Sequence, residues 1–413
     1  MKDQIKRIII SKYEELVNNN KIVDRSFFES EELKDDCRKG LEIIFPILYA
    51  GEKFNLTEKE FNSKYEIALK EAKYEKKTSM SPSISLQKNN KETWLTKERI
   101  ESLKWNDDDT KTYRTRYLKY LEKIGRTNLI IKETERSSIE IIKKLGDPES
   151  DEPFFVKGLV VGSVQSGKTS NFNAVINSSI DVGYKLIIVL SGLMEDLRSQ
   201  TQKRIEKEVE GKMIRTNEFI GVGEISSFGQ LGKHPDVNQV VVPTSETNDF
   251  NRTMQEAQFS LNNTNILICK KNTSVLQNLL LWLHDYLNEN NDKHNIPLLI
   301  IDDEADNASI NNLGHKGKEY SNKINGHIRA LLALFNKKTY IGYTATPFAN
   351  VLQDLNDIPS QKWVVKDTRN NEEVYFDQEG NLFPEDFIEL LYPPTNYLGP
   401  KNFFETRIED VKK

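Results

Sequence analysis

The sequence has few residues of the types that build disulfide frameworks and metal clusters. It contains two cysteines, Cys37 and Cys269, and five histidines without the spacing of metal ligands. A disulfide-based secreted domain and a zinc module are therefore excluded as classes. We expect a protein of the reducing cytoplasm.

Long apolar runs and an excess of positive charge are also missing. The longest apolar runs, such as 186–190 and 298–301, have the length of a strand, whereas about 20 residues span a bilayer. We therefore expect no membrane segment and no signal peptide. The 58 basic and 63 acidic residues give a formal net charge of −5. Any nucleic-acid interface must therefore be a local patch rather than a general positive field.

The spacing of apolar residues changes several times along the chain. The chain begins with apolar residues at helical spacing and continues with a polar stretch rich in Ser, Pro and Asn. Farther along, apolar runs alternate with helical patterns. The predicted segments are an N-terminal helical region (1–77), a linker (78–93), a helical segment that packs on the core (94–150), a main lobe (151–350) and the start of an incomplete C-terminal region (351–413). The aromatic and basic residues between Trp105 and Lys123 could stack on and bind nucleic acid, but the acidic tract 107–109 argues against it, and we expect this helix to pack on the core.

Five apolar runs of strand length lie in the fourth segment, with helical patterns after several of them. Such alternation is typical of a parallel sheet with helices on both faces. The predicted fold class is thus α/β, preceded by an all-α N-terminal region. The predicted strands are 156–161, 185–190, 266–269, 298–301 and 339–343.

A phosphate-binding pattern follows the first predicted strand. Residues 162–169 fit G-x-x-x-x-G-K-[ST] and precede a helical pattern, a context that argues against a chance glycine- and serine-rich turn. Glycines let backbone N–H groups turn toward phosphates, and the helix N-terminus adds partial positive charge. Lys168 is expected to reach the β- and γ-phosphates of ATP, and the Thr169 hydroxyl to ligate Mg²⁺. The predicted ATP-binding residues are Gly162, Ser163, Val164, Gln165, Ser166, Gly167, Lys168, Thr169 and Ser170.

An acidic motif, D-E-A-D at 303–306, follows the fourth predicted strand. A carboxylate at a strand end can hold Mg²⁺, and a neighbouring Glu can accept a proton from the attacking water. We assign these roles to Asp303 and Glu304, which with Lys168 form the predicted catalytic set. Asp302 stays open as a competing metal ligand, since the sequence does not fix which aspartate faces the nucleotide. The competing interpretation is an acidic loop that caps the next helix.

A third motif, Thr344-Ala345-Thr346, follows the last predicted strand at the same sheet edge. In the order phosphate loop, D-E-A-D and T-A-T, the three motifs resemble motifs I, II and III of superfamily-two helicases and translocases. The resemblance implies a RecA-like lobe that hydrolyses ATP to drive movement on nucleic acid. It also implies that Asp306, Thr344 and Thr346 couple the nucleotide state to the grip on DNA.

A closer resemblance involves the segments VQSGKT, LRSQTQ and DDEADNAS, within about Trp105 to Pro347. These segments are similar to the ATPase region of the Z-one-domain endonuclease family. The resemblance implies a bacterial restriction or phage-defence system with double-stranded DNA as partner. It further implies DNA contacts by Arg198 and Gln200, and by Lys270 one strand later. A solvated surface helix explains Arg198 equally well, and a plain surface position explains Lys270.

The sequence departs from the superfamily-two pattern after the third motif. Only 66 residues follow Pro347, whereas a second RecA-like lobe requires about 150. We therefore expect the second lobe and its arginine finger to come from a partner subunit of a defence complex, or the chain to be truncated. Two functions stay open: a DNA-dependent ATPase lobe, or a nucleotide-gated assembly module with negligible turnover alone. DNA cleavage by this chain is not expected, because no D-x-x-x-E-x-K or H-N-H cluster occurs.

Overall fold

The structure, a computed structural model, divides the chain into two compact units, Met1–Met80 with Pro394–Lys413, and Ser81–Pro393. It describes residues 1–18, 27, 30–48, 54–77, 84–87, 93–105, 112–162, 167–213, 216, 218–225, 239–252, 259, 262–289, 295–307, 309, 318–351 and 362–392.

The first unit is helical in its described part. Apolar residues at helical spacing give each helix one buried stripe, so that Ile5 and Ile9 share a core with Leu41, Phe61 and Tyr65. The predicted N-terminal helical region is therefore present. Its helices are α1 (Lys2–Asn18), α2 (Glu31–Leu48) and α3 (Glu58–Lys77).

The second unit contains an eight-stranded sheet in the order β1-β10-β2-β7-β6-β3-β5-β4. All neighbouring strands are parallel except β1, which pairs antiparallel with β10. The strands are β1 (Ile84–Gln87), β2 (Phe154–Gly162), β3 (Leu186–Ser191), β4 (Val240–Val241), β5 (Thr264–Lys270), β6 (Leu298–Asp303), β7 (Lys337–Thr344) and β10 (Phe387–Leu391). A separate antiparallel hairpin pairs β8 (Trp363–Asp367) with β9 (Glu372–Phe376).

Helices cover both faces of this sheet. Successive side chains of a strand point to opposite faces, and in β6 Leu299 and Ile301 join the core of α5 to α7, whereas Leu298 and Ile300 join the core of α9 and α10. The predicted α/β class with a mostly parallel sheet is confirmed. The helices are α4 (Lys97–Ser102), α5 (Tyr113–Lys123), α6 (Asn128–Ile142), α7 (Lys168–Val182), α8 (Glu195–Ile205), α9 (Thr273–Glu289), α10 (Lys318–Ala333) and α11 (Phe348–Val351). A π-helical turn, Glu206–Glu210, continues α8, and Gly221–Glu224 form a 3-10 turn.

The five predicted strands are all present as β2, β3, β5, β6 and β7; β3 is shifted by one residue, and the other four are longer than predicted by two or three residues. The sheet also continues beyond residue 350, the predicted end of the lobe, because β10 pairs in parallel with β2. A β-carbon at Gly158 of β2 would lie 2.1 Å from the Phe387 ring of β10, so this glycine admits the aromatic side chain. The predicted linker 78–93 contributes the edge strand β1.

Membrane-spanning helices are not found among the described residues. None of their helices combines the length and the apolar character that a bilayer crossing requires.

Candidate functional site

The three sequence motifs lie at the carboxyl ends of β2, β6 and β7, which are close in the sheet order. The helix after β2, α7, packs on one face of the sheet, whereas α10, which follows β6 in the chain, packs on the other face. Chain segments that leave neighbouring strands toward opposite faces open a crevice at the sheet edge, where ligands of parallel α/β folds bind. The fold thus places the motifs where a binding site is expected.

The glycine before α7 has the backbone conformation of a tight turn. Gly167 has φ +84°, in the left-handed region, and a β-carbon there would meet nothing within 4 Å. Glycine is therefore favoured at this position by the backbone conformation and not by a lack of space for a side chain. Lys168 begins α7, and its ammonium donates a hydrogen bond of 2.5 Å to the carbonyl of Gly162 at the end of β2. Thr169 and Ser170 lie in the first turn of α7, and Ser163, Val164, Gln165 and Ser166 lie outside the described residues.

Aromatic and amide side chains hold the first turns of α7 in place. The Tyr117 hydroxyl of α5 donates to the Ser170 carbonyl at 3.1 Å, and the Tyr343 hydroxyl of β7 donates to Asn171 Oδ1 at 2.9 Å. Asn171 in turn donates to Ser137 of α6 at 2.9 Å. Tyr113 and Tyr117 of this aromatic helix are buried, in the same core as Phe172 of α7.

The two aspartates that end β6 point to opposite faces of the sheet. Asp302 lies on the same face of the sheet as Ile300, which is the face covered by α9 and α10. Asp303 lies on the same face as Ile301, which is the face covered by α7. Asp303 is only partly buried, and its carboxylate lies on the face from which Lys168 approaches. The strand phase therefore selects Asp303 as the aspartate on the same face as Lys168 and α7.

Asp302 does not occupy the position that its alternative role as a metal ligand requires. Its side chain is fully buried, and Oδ1 accepts from the Lys271 ammonium at 2.9 Å. Its other oxygen, Oδ2, accepts from the Tyr340 hydroxyl at 2.6 Å. With both oxygens engaged on the far face, Asp302 is a structural carboxylate, which corrects the alternative left open by the sequence.

The electrostatics of the site connect Lys168 to the acidic motif. Burial lowers the pKa of Lys168, and the carboxylates of Asp303, Asp306 and Glu304 oppose this shift, in that order of strength. Burial raises the pKa of Asp303, and the positive charge of Lys271 is the largest influence that lowers it. One ammonium beside three carboxylates leaves surplus negative charge, which favours a bound cation, and ionisable groups with shifted pKa values at a sheet edge are typical of a functional site.

Asp306 connects the acidic motif to the third motif. Its Oδ1 accepts from the Thr344 hydroxyl at 2.7 Å, and its Oδ2 accepts from the Thr346 hydroxyl. The Thr346 amide donates to the Thr344 hydroxyl oxygen at 2.9 Å. The structure therefore brings together the three residues predicted to couple nucleotide state to movement.

Glu304 has an unusual backbone conformation and a close neighbour. Its φ of +54° lies in the left-handed region, which is strained for a residue with a side chain. Its carboxylate lies against the end of β3, because a β-carbon on Gly192 would be only 2.9 Å from Glu304 Oε2. Such outliers in regular proteins concentrate at functional sites.

Two of the three residues predicted to contact DNA, Arg198 and Lys270, are engaged within the fold. The Arg198 side chain is 0% exposed, and its guanidinium donates to the carbonyls of Ser245 and Glu246 at 2.9 and 2.7 Å. The Lys270 ammonium is paired with Glu195 at 2.8 Å. Arg198 is thus a structural arginine rather than a phosphate ligand or a solvated side chain, and of the three predicted residues only Gln200 is exposed.

Sequence reasoning missed Lys271, Tyr340 and Gly192. Lys271 sits in a Lys-Lys pair after an apolar strand, a pattern typical of a solvated loop, yet its side chain is 0% exposed. Its only sequence signal is its position directly at the end of a buried strand of a parallel sheet. Gly192 likewise follows a buried strand, but the carboxylate that lies against it is over 100 residues away in sequence.

The donors at this edge fit a hard cation shared with a nucleotide. Among the described residues, no group of three or more His, Cys, Asp or Glu could hold a metal on its own. Thr169 and Asp303 offer one hydroxyl and one carboxylate, the oxygen ligands that Mg²⁺ prefers when phosphates and waters complete its coordination. The acidic environment of Lys168 is consistent with a site that takes a cation together with an anion.

Comparison with known proteins gives no family for this chain. No family model matches it. No curated protein matches it in sequence. Its function must therefore be argued from the site itself.

Proposed function

We propose that this chain binds ATP with Mg²⁺ at the carboxyl edge of its sheet and hydrolyses it, as the first, RecA-like lobe of a superfamily-two DNA helicase or translocase of a bacterial restriction or phage-defence system. The observation that carries the proposal is the position of Lys168 opposite Asp303, Glu304 and Asp306, at the helix start that follows β2. The helix N-terminus and the Lys168 ammonium favour a phosphate chain, and the carboxylates favour the cation that accompanies it.

Each residue has a distinct task in the proposed reaction. The first amides of α7 and the Lys168 ammonium bind the phosphates and stabilise negative charge that develops on them. Thr169 and Asp303 hold the magnesium ion, which neutralises phosphate charge when bound. Glu304 accepts a proton from the attacking water at its carboxylate.

The hydrogen bonds of Asp306 provide a means to transmit the reaction. Asp306 lies three residues from Asp303 in the chain and accepts from both hydroxyls of the third motif. A change at the phosphate site can therefore alter the segment that leads into α11 without a long pathway. This contact supports the coupling role that the resemblance implies for Thr344 and Thr346.

The DNA part of the proposal rests on the resemblance to superfamily-two motors and not on identified contacts. Arg198 and Lys270 are engaged within the fold, which leaves Gln200 as the exposed residue of the predicted set. The DNA response must therefore be measured directly.

A second function, a nucleotide-gated assembly module, is favoured by a different observation. Apolar side chains are exposed after β3 and β7, at the same edge as the site: Leu193 at 36% and Met194 at 62% follow β3, and Phe348, the first residue of α11, is 73% exposed. Large exposed apolar residues beside a ligand site are typical of protein contacts. In this alternative, bound ATP would regulate a partner and turnover by the chain alone would be negligible.

ATP hydrolysis by the purified chain, with and without double-stranded DNA, distinguishes the two functions. Glu304→Gln serves as the matched control, because it preserves size and removes the proton acceptor. DNA-stimulated turnover that disappears in Glu304→Gln supports the motor lobe. ATP binding without turnover, with or without DNA, supports the assembly module, and the absence of ATP binding contradicts both.

A further inference from the structure

The ammonium of Lys271 is buried at the centre of the turn that carries the acidic motif. Lys271 follows β5 directly, and its side chain is 0% exposed. Its Nζ donates to the carbonyls of Asp303 and Glu304 at 2.7 Å each, and to Asp302 Oδ1 at 2.9 Å. These three short contacts match the three protons of an ammonium group, and a longer contact of 3.4 Å joins the ammonium to Ser309 Oγ.

The carbonyls that Lys271 binds belong to the turn in which Glu304 adopts its left-handed backbone. A non-glycine residue at φ +54° persists only where surrounding contacts compensate for the strain. Backbone amides of this turn also form hydrogen bonds: those of Ala305 and Asn307 donate to the carbonyls of Tyr343 and Glu304, and that of Glu304 donates to Asp303 Oδ1. Lys271 supplies the charged hydrogen bonds, the strongest type, and it holds both carbonyls at once.

The backbone of Lys271 also fixes the place where the Glu304 carboxylate lies. The Lys271 amide contacts the carbonyls of Ser191 and Gly192 at 3.3 and 3.4 Å, at the end of β3. Gly192 is the residue against which Glu304 Oε2 lies. One residue therefore joins the ends of β3, β5 and β6 around this carboxylate.

We propose that Lys271 is a positioning residue for Glu304, whose buried ammonium holds the turn after β6 in the conformation that presents the Glu304 carboxylate to the site. The role rests on the proposed ATPase function. The competing explanation is that Lys271 only neutralises the buried charge of Asp302. These explanations differ in which contact matters, the two carbonyls or the carboxylate.

Three variants separate the two explanations. Lys271→Met removes all contacts of the ammonium and leaves Asp302 as a buried unpaired charge, so the melting temperature falls by about 10 °C. Lys271→Met combined with Asp302→Asn removes both charges and recovers most of that loss. Asp302→Asn alone retains the ammonium and its bonds to the carbonyls of Asp303 and Glu304.

Steady-state ATP hydrolysis gives the first readout. The double variant is expected to keep its KM for ATP and to lose kcat by about tenfold or more, whereas Asp302→Asn keeps kcat within about threefold of wild type. Recovery of kcat together with stability in the double variant would overturn the proposal. So would a loss of kcat in Asp302→Asn as large as that in the double variant. If Lys271→Met does not fold, the double variant and Asp302→Asn still distinguish the two explanations.

Hydrogen–deuterium exchange of the peptide that covers 301–307 gives a readout without ATP. Exchange is expected to accelerate in the double variant and to stay as in wild type in Asp302→Asn. Equal protection in all three proteins would refute the role of Lys271 in holding the turn. If the wild-type chain neither binds nor hydrolyses ATP, the proposed function fails, and the exchange result alone decides whether Lys271 fixes this turn.

Discussion

Replacement of Gly192 by Ala tests whether the observed position of the Glu304 carboxylate matters for turnover. The added methyl group would lie 2.9 Å from Glu304 Oε2 and 2.7 Å from Leu197 Cδ1, whereas ordinary contacts begin at 3.4 Å. Both atoms are ends of flexible side chains, so we expect them to move by about half an ångström, at a stability cost of about 1 kcal/mol. The backbone stays in place.

The expected kinetic effect follows from this displacement. A misplacement of about 1 Å in a catalytic arrangement can cost about 100-fold in rate, so half of that distance corresponds to about tenfold, or about 1.4 kcal/mol. Nucleotide affinity should not change, because Lys168 and the first turn of α7 are not in contact with the new methyl group. The assay is single-turnover ATP hydrolysis, with binding of a fluorescent nucleotide measured in parallel.

A matched control is Gly380→Ala, where the added methyl group would meet nothing within 4 Å. This variant should retain the rate, affinity and stability of wild type. If Gly192→Ala folds, binds nucleotide and hydrolyses ATP at the wild-type rate, the assignment of Glu304 as the proton acceptor in its observed position is refuted.

Three further predictions concern other parts of the second unit. Asp306→Ala removes the carboxylate that accepts from the Thr344 and Thr346 hydroxyls. DNA stimulation of ATP hydrolysis should therefore fall by about tenfold while nucleotide affinity is retained. Unchanged stimulation would exclude the coupling role. Arg198→Met should lower the free energy of unfolding in urea by about 3 kcal/mol, because two partly buried carbonyls lose a charged donor. A selective loss of DNA binding instead would restore the phosphate-contact role. Burial, reinforced by the Glu206 charge, raises the pKa of Glu210 from 4.5 to about 8. The folded chain thus holds this proton more tightly than the unfolded chain, and stability should fall by about 3–5 kcal/mol from pH 4.5 to pH 8. Glu210→Gln should remove that part of the fall, and an identical pH profile of urea unfolding for both proteins would contradict the buried acid.

The central strands were predictable because burial on both faces demands continuous apolar runs, as in 186–190 and 298–301. The position of β10 was not predictable in the same way. Its run at 387–391 has an ordinary strand pattern, and its place beside β2 depends on the packing of Phe387 over Gly158, more than 200 residues earlier.

The candidate site shows the same division between local and long-range information. Gly167 and Lys168 could be assigned from the sequence, because a tight turn before a helix has a local pattern. The choice between Asp302 and Asp303 required the phase of β6 relative to the two layers of helices, which the sequence pattern does not specify. Arg198 appeared to be a surface residue because its acceptors, the carbonyls of Ser245 and Glu246, carry no side-chain signal.

Calorimetric titration of the wild-type chain and of Lys168→Ala with ATP and Mg²⁺ tests the central claim most directly. Thermal unfolding of both proteins without nucleotide provides the control for folding. The account predicts that the wild-type chain binds ATP and that Lys168→Ala, although folded, does not. Equal ATP affinity of the two proteins, or no binding by either, would contradict a nucleotide site at the end of β2.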